Sequence, residues 1–75
     1  MSEYNGHRSW NAWNVALWIG NDEGLYYLAM DCLKTQKTVA NAARRFSREC
    51  GMSRTPDGAN MNITCIQEAL AGLKE

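Results

Sequence analysis

Residues 25–33 read LYYLAMDCL, and the positions of their apolar side chains decide the fold class. Five apolar residues recur at i, i+3, i+4, i+7 and i+8, the spacing of one helix face; they are Leu25, Leu28, Ala29, Cys32 and Leu33. The segment Asn21-Asp22-Glu23, just upstream, supplies a cap residue and two acids that suit the positive end of a helix dipole. The sequence therefore predicts a helix from about residue 22 to between Lys34 and Lys37.

The preceding segment is also predicted to be helical. Ser9 or Asn11 can cap a helix of about ten residues, and Gly20 stands where a left-handed C-terminal cap belongs. Its apolar residues are Trp10, Trp13, Val15, Ala16, Leu17, Trp18 and Ile19. Because they cover nearly the whole circumference, we expect a central helix that is packed on two sides.

Two more helices are predicted downstream. Thr38 caps the first and Gly51 closes it, and its core face is Val39, Ala42, Ala43, Phe46 and Cys50. The second starts at Thr64, which forms a capping-box pattern with Gln67. Its core face is Cys65, Ile66, Ala69, Leu70 and Leu73.

The remaining segments are predicted to be loops. Residues 1–8 are polar and contain the turn dipeptide Asn5-Gly6, which indicates a lead-in loop. Residues 51–61 contain the turn Pro56-Asp57-Gly58, and we expect a surface loop there. No stretch alternates with period two for long enough to predict a strand. The fold class is therefore all-α, one small domain over residues 1–75 with three to four short helices around a tryptophan-rich core.

Length and composition limit the functional classes. Seventy-five residues with 45% hydrophobic and 21% charged side chains fit one soluble globular domain without a membrane span. Cys32, Cys50 and Cys65 are an odd number without a close pair, which favours a reducing compartment over disulfides or a zinc motif. The opening residues lack the pattern of a secretory signal, so we expect the protein in the cytoplasm.

Catalytic chemistry has little support in the sequence. The single histidine, His7, lies in the predicted lead-in loop, where nothing holds it as a base. Asp22 and Glu23 are explained by a helix start, and the six glycines are dispersed rather than gathered in a phosphate-binding loop. We therefore expect no enzyme, and neither a cofactor nor a metal.

Charge is distributed unevenly, although the formal net charge is zero. Residues 32–54 carry six basic residues against one acid. Arg44, Arg45 and Arg48, here called the arginine patch, fall at i, i+1 and i+4 on the predicted third helix. Such a patch can receive phosphates or an acidic protein surface. Alternatively, it is a solvated helix face whose charges pair with acids of neighbouring helices.

Aromatic residues complete the candidate surface. A domain this small cannot bury every aromatic side chain, and Trp and Tyr dominate binding hot spots. The predicted partner-binding residues are Arg44, Arg45, Arg48, Arg54, Lys37, Trp18 and Tyr27. For any single aromatic residue, partial burial over the core is the simpler interpretation.

The segment YNGHRSWNAWNVALWIGNDEGLY, residues 4–26, resembles a family of small uncharacterised proteins of bacteriophages and bacterial mobile elements. The resemblance depends on YNG at residues 4–6, WNVALWI at 13–19, NDEGLY at 21–26 and TPDG at 55–58. Small phage proteins of this size often inhibit host defence. The resemblance therefore implies an inhibitor, most directly an anti-CRISPR protein that binds a Cas effector subunit in the host cytoplasm and blocks it sterically.

Two other functions stay open. A small nucleic-acid-binding protein would use the basic third helix, since TVANAARRFSREC at residues 38–50 is similar to one helix of a helix-turn-helix. A long loop follows it, however, where a recognition helix is expected. A structural or regulatory phage accessory would bind neither target and would self-associate through Trp18 and Val15.

Overall fold

The computed structural model describes residues 9–74, which form four α-helices. They are α1 (Trp10–Asn21), α2 (Glu23–Thr35), α3 (Val39–Cys50) and α4 (Ile63–Lys74). The all-α fold class is thereby confirmed for this part of the chain. None of these helices has the length and apolar character needed to cross a membrane. The predicted lead-in loop at residues 1–8, with its YNG motif and His7, lies outside the described residues.

Each helix begins at a polar side chain that accepts a hydrogen bond from the backbone N–H three residues further on. The capping residues are Ser9, Asp22, Thr38 and Asn62, with distances of 3.1, 3.0, 3.1 and 2.8 Å. Each cap satisfies an N–H group that a helix start leaves without an intrahelical partner. Thr38 confirms the sequence analysis, and Ser9 is one of the two caps predicted for α1. The cap of α2 is Asp22, one of the two acids predicted at that helix start, and not Asn21. The predicted cap at Thr64 is wrong, because Asn62 starts α4 earlier and places Thr64 in its first turn.

The helix ends follow the sequence prediction at one glycine and depart from it at another. Gly51 ends α3 with a φ of 67°, a left-handed conformation that glycine adopts without a Cβ clash. Gly20 does not end α1, because the helix continues through Asn21. The N–H of Asp22 donates to the Trp18 carbonyl at 2.9 Å, while its carboxylate caps α2. Asp22 thus ends one helix and starts the next.

The helices pack in a ring in which α1 contacts α2 and α4, and α3 contacts α2 and α4. The helices α2 and α4 also touch across the ring, through fewer residues. The largest fully buried side chains are Phe46, Ile19, Ile66, Leu70, Val15, Asn14 and Cys32. The core is therefore aliphatic around one phenylalanine, with one buried amide.

The tryptophans lie at the edge of this core, which corrects the prediction of a tryptophan-rich centre. Trp10 is 39% exposed, and Trp13 and Trp18 are half-buried. The buried apolar residues of α1 are Ala12, Val15 and Ile19. Leu17 is also 39% exposed, so α1 keeps one solvent-facing side although it contacts α2, α4 and the hairpin.

The predicted core faces of α2, α3 and α4 are confirmed. Their buried members are Ala29, Cys32, Ala42, Ala43, Phe46, Cys65, Ile66, Ala69 and Leu70. Leu25, Leu28, Leu33, Val39, Cys50 and Leu73 are partly buried against them. Burial raises the pKa of the Cys32 thiol, which behaves here as a small apolar side chain.

Residues 53–61 form a short antiparallel hairpin between α3 and α4, within the segment predicted as a surface loop. The Thr55 N–H donates to the Ala59 carbonyl at 2.9 Å, and the Gly58 N–H donates to the Thr55 carbonyl at 2.8 Å. Gly58 has a φ of 94°, as the predicted turn requires. Thr55, Ala59 and Met61 are buried, so the inner side of the hairpin belongs to the core.

Candidate binding surface

The arginine patch contains one arginine that is engaged within the fold. Arg45 donates from Nη2 to Asp31 Oδ2 of α2 at 2.9 Å and from Nε to Glu49 Oε2 at 2.8 Å. It also donates from Nη1 to the Thr35 hydroxyl. The hydrogen bond to Glu49 raises the pKa of the Arg45 guanidinium above its usual range. Arg45 therefore ties α3 to α2, as the alternative interpretation of the patch anticipated.

The other two arginines of the patch face solvent. Arg44 and Arg48 are both exposed and lie one helical turn apart on α3. Among residues 9–74, neither has a hydrogen-bond or ion-pair partner. Side chains at i and i+4 have Cβ atoms about 6 Å apart, so the two guanidinium groups can act on one ligand.

Two further predicted basic residues lie in different settings. Lys37 is exposed in the short link between α2 and α3. Arg54 is exposed on the hairpin and donates from Nη1 to the carbonyl of Gly58 at 3.1 Å. Arg54 therefore braces the hairpin turn, whereas Lys37 has no hydrogen-bond partner in the described part of the chain.

Trp18 belongs to a polar network between α1 and the hairpin. Its indole N–H donates to Asp57 Oδ2 at 3.1 Å, and Asn14 Nδ2 donates to the same oxygen at 2.9 Å. The Thr55 hydroxyl donates to Asn14 Oδ1 at 2.6 Å and accepts from the Ala59 N–H at 3.0 Å. The hydrogen bonds from Asn14 and Trp18 favour the carboxylate and lower the pKa of Asp57.

This α1–hairpin network joins two of the segments that carry the family resemblance. Asn14 and Trp18 belong to WNVALWI, residues 13–19, and Thr55 and Asp57 belong to TPDG, residues 55–58. The motifs thus have a structural role in fixing the hairpin. Sequence reasoning missed Asn14, although an asparagine among the apolar residues of α1 is the signal that could have identified it.

Tyr27 lies on a groove where the C-terminal end of α4 reaches α2. Tyr27 is 62% exposed, and its ring lies 5.9 Å from that of Tyr26. The α2–α4 groove has a volume of about 520 Å³ and is lined by Tyr27, Met30, Asp31, Leu33, Lys34, Leu73 and Lys74. Sequence reasoning identified Tyr27 alone, because the other residues meet only through the packing of α4 on the ring.

The thiols and carboxylates of the described residues are dispersed. No three His, Cys, Asp or Glu side chains among residues 9–74 lie close enough together to hold a metal ion. Cys32, Cys50 and Cys65 are free thiols, two of them buried and Cys50 half-buried.

The molecule is thus a small four-helix domain with two solvent-facing arginines on α3 and a groove beside α2. The chain belongs to DUF7249, a family of unknown function, which matches residues 1–73. This membership confirms the expected uncharacterised family, while the phage origin and the inhibitory role stay predictions. Searches of curated proteins and of solved structures found no match.

Proposed function

We propose that the protein is a binding module that inhibits a bacterial defence complex, most directly an anti-CRISPR protein that occupies a surface of a Cas effector subunit. The supporting observation is the solvent-facing pair Arg44 and Arg48 on α3. The choice of a defence complex rests on the resemblance to small phage proteins. The host cytoplasm is the compartment that this function requires.

The arginine pair suits an acidic protein surface. A guanidinium forms two parallel hydrogen bonds with a carboxylate, and two guanidinium groups one turn apart can engage neighbouring acids. The helix that carries them is anchored by Phe46 in the core and by the Arg45–Asp31 ion pair to α2. A rigid helix loses little conformational freedom on binding, which favours tight association.

Steric inhibition needs only one well-formed contact. Stable protein interfaces bury about 800 Å² on each partner, an area that a domain of this size can offer. A bound domain then excludes another ligand from the covered surface. This mechanism needs no reactive group.

A protein partner is favoured over nucleic acid. The formal net charge is zero, so no general attraction to a polyanion is expected. A helix-turn-helix would place its recognition helix directly after α3 in the sequence. In this chain the hairpin follows α3 instead, and the inner side of the hairpin is buried. Binding to bare DNA or RNA is therefore an outcome that the experiment must test separately.

The test is affinity purification from a nuclease-treated lysate of a CRISPR-bearing bacterium, with mass spectrometry of the bound proteins. We expect one Cas effector subunit to be recovered in stoichiometric amount with the native protein. The variant Arg44→Glu with Arg48→Glu should recover at least about tenfold less of that subunit. Lys37→Glu with Arg54→Glu makes the same change in net charge. It should retain most of the binding, because the proposed contact uses the α3 pair and not these two of the predicted partner-binding residues.

Two results would contradict the proposal. Unchanged recovery by the folded Arg44→Glu, Arg48→Glu variant rejects the site assignment. Failure to recover any defence protein, together with a shift of bare DNA or RNA that weakens steeply with salt, favours the nucleic-acid-binding alternative.

A further inference from the structure

The α2–α4 groove combines an apolar floor with a basic rim. Leu33 and Leu73 are partly buried against the core, while Tyr27 and Met30 are exposed at 62% and 38%. Tyrosine and methionine are enriched at protein interfaces, and methionine adapts its shape to different partners. The groove is separate from the surface of the proposed function, because neither Arg44 nor Arg48 lines it.

The free charges that the described residues bring to the groove are positive. Among residues 9–74, Asp31 is the one acidic residue that lines the groove, and Arg45 holds its carboxylate in an ion pair at 2.9 Å. Lys34 and Lys74 are exposed, and within residues 9–74 neither has a hydrogen-bond or ion-pair partner. Their ammonium groups therefore remain available to acidic groups of a ligand that covers the apolar floor.

The dimensions suit a helix. From Tyr27 to Lys34 the groove follows α2 for about two turns, or roughly 10 Å. A helix that lies in such a groove makes contacts at i, i+3, i+4 and i+7, which span the same length. Flanking acidic side chains would then reach Lys34 and Lys74 at the rim.

We propose that the α2–α4 groove binds an acidic amphipathic helix of a protein partner. A second copy of this chain fits less well, because a two-fold contact through the groove would bring the same lysines of both copies together. The inference goes beyond the proposed function, since it holds whichever complex the α3 arginines contact.

The experiment titrates the isotope-labelled full chain with a synthetic helical peptide and follows the backbone amide resonances. The peptide is about four turns long, with leucines at i, i+3, i+4 and i+7 and glutamates beside them. A matched peptide carries lysine in place of each glutamate. We expect the acidic peptide to bind at least about tenfold more tightly, with shifts centred on Met30 and Leu73.

Variants separate this site from the α3 surface. Lys34→Glu with Lys74→Glu should reverse the preference between the two peptides, whereas Arg44→Glu with Arg48→Glu should leave it unchanged. Equal affinities for both peptides, shifts centred away from the groove, or absence of binding would each reject the inference. Those results leave the lysate experiment unaffected, so the two proposals fail independently.

Discussion

Asn14 of α1 and Asp57 of the hairpin are joined by a hydrogen bond of 2.9 Å between side chains that are 43 residues apart in sequence. Asn14 is 2% exposed, whereas Asp57 is at the surface. The network therefore runs from the core to solvent and holds the hairpin against α1. Its contribution to stability can be measured one residue at a time.

Replacing Asn14 by alanine should destabilise the fold more than the same change at an exposed polar residue. Asn14→Ala removes the acceptor of the Thr55 hydroxyl and a donor to Asp57 at a buried position. We expect the free energy of unfolding to fall by about 2 kcal/mol. Chemical denaturation measures this change.

Asn11→Ala is the matched control on the same helix. Asn11 Oδ1 accepts an exposed hydrogen bond from the Asn60 N–H at 3.2 Å. Its loss should cost less than about 1 kcal/mol. Equal effects of the two variants would show that the buried position of Asn14 has no special importance.

Asp57 should make stability depend on acid pH. Its pKa lies below the ordinary value of 3.8 in the folded state, because Asn14 and Trp18 donate hydrogen bonds to the carboxylate. The unfolded chain therefore binds the proton first, so this stabilisation is complete above about pH 5 and is lost as the pH falls through the lowered pKa. Denaturation at several pH values should show that the free energies of unfolding of the native protein and of Asp57→Asn approach each other as the pH falls below about 5. A difference that stays constant from about pH 6 to about pH 3 would contradict this assignment.

Arg45 should contribute to stability and Arg44 should not. Arg45→Met removes the ion pairs to Asp31 and Glu49 while keeping an apolar stem of similar length. We expect a lower melting temperature at low ionic strength and a smaller difference from the native protein as NaCl rises to about 1 M, because salt screens surface charges. Arg44→Met, the same change one residue away, should leave the melting temperature unaltered at both salt concentrations. An equal loss in both variants would reject the division of the arginine patch.

Gly20 should tolerate alanine with a gain in stability. It lies inside α1, and a Cβ built there meets nothing within 4 Å. Alanine has a higher helix propensity than glycine, so Gly20→Ala should add about 0.5 to 1 kcal/mol to the free energy of unfolding. Gly51→Ala is the opposite control, because Gly51 has a φ of 67°, which alanine adopts only with strain. This variant should lower the free energy of unfolding by about 1 kcal/mol. Destabilisation by Gly20→Ala would place that residue at the end of the helix after all.

The local features of the fold could be predicted from sequence because they depend on neighbouring residues. The cap at Thr38 and the left-handed Gly51 are decided within one helical turn. The cap of α4 was predicted at Thr64 and lies at Asn62, because both residue types suit that position and the local sequence does not show which of them the helix uses. Gly20 was misleading because Asp22 can end α1 and cap α2 at once.

The candidate surface was less predictable because its properties depend on distant contacts. The pairing of Arg45 with Asp31 spans 14 residues and leaves Arg44 and Arg48 as the free members of the patch. Periodicity showed that α1 is apolar on most sides, and only packing shows that Val15 faces the core. Self-association through Val15 is therefore excluded in the folded domain, since that side chain is fully buried.

The most direct test of the account is a titration of purified CRISPR–Cas effector complexes of several types with the native protein and with Arg44→Glu, Arg48→Glu. The account predicts that target cleavage by one complex is lost at about one protein per binding site, and that the folded variant does not inhibit it. Cleavage that is unaffected in every complex, or inhibition by the variant equal to that of the native protein, would contradict it.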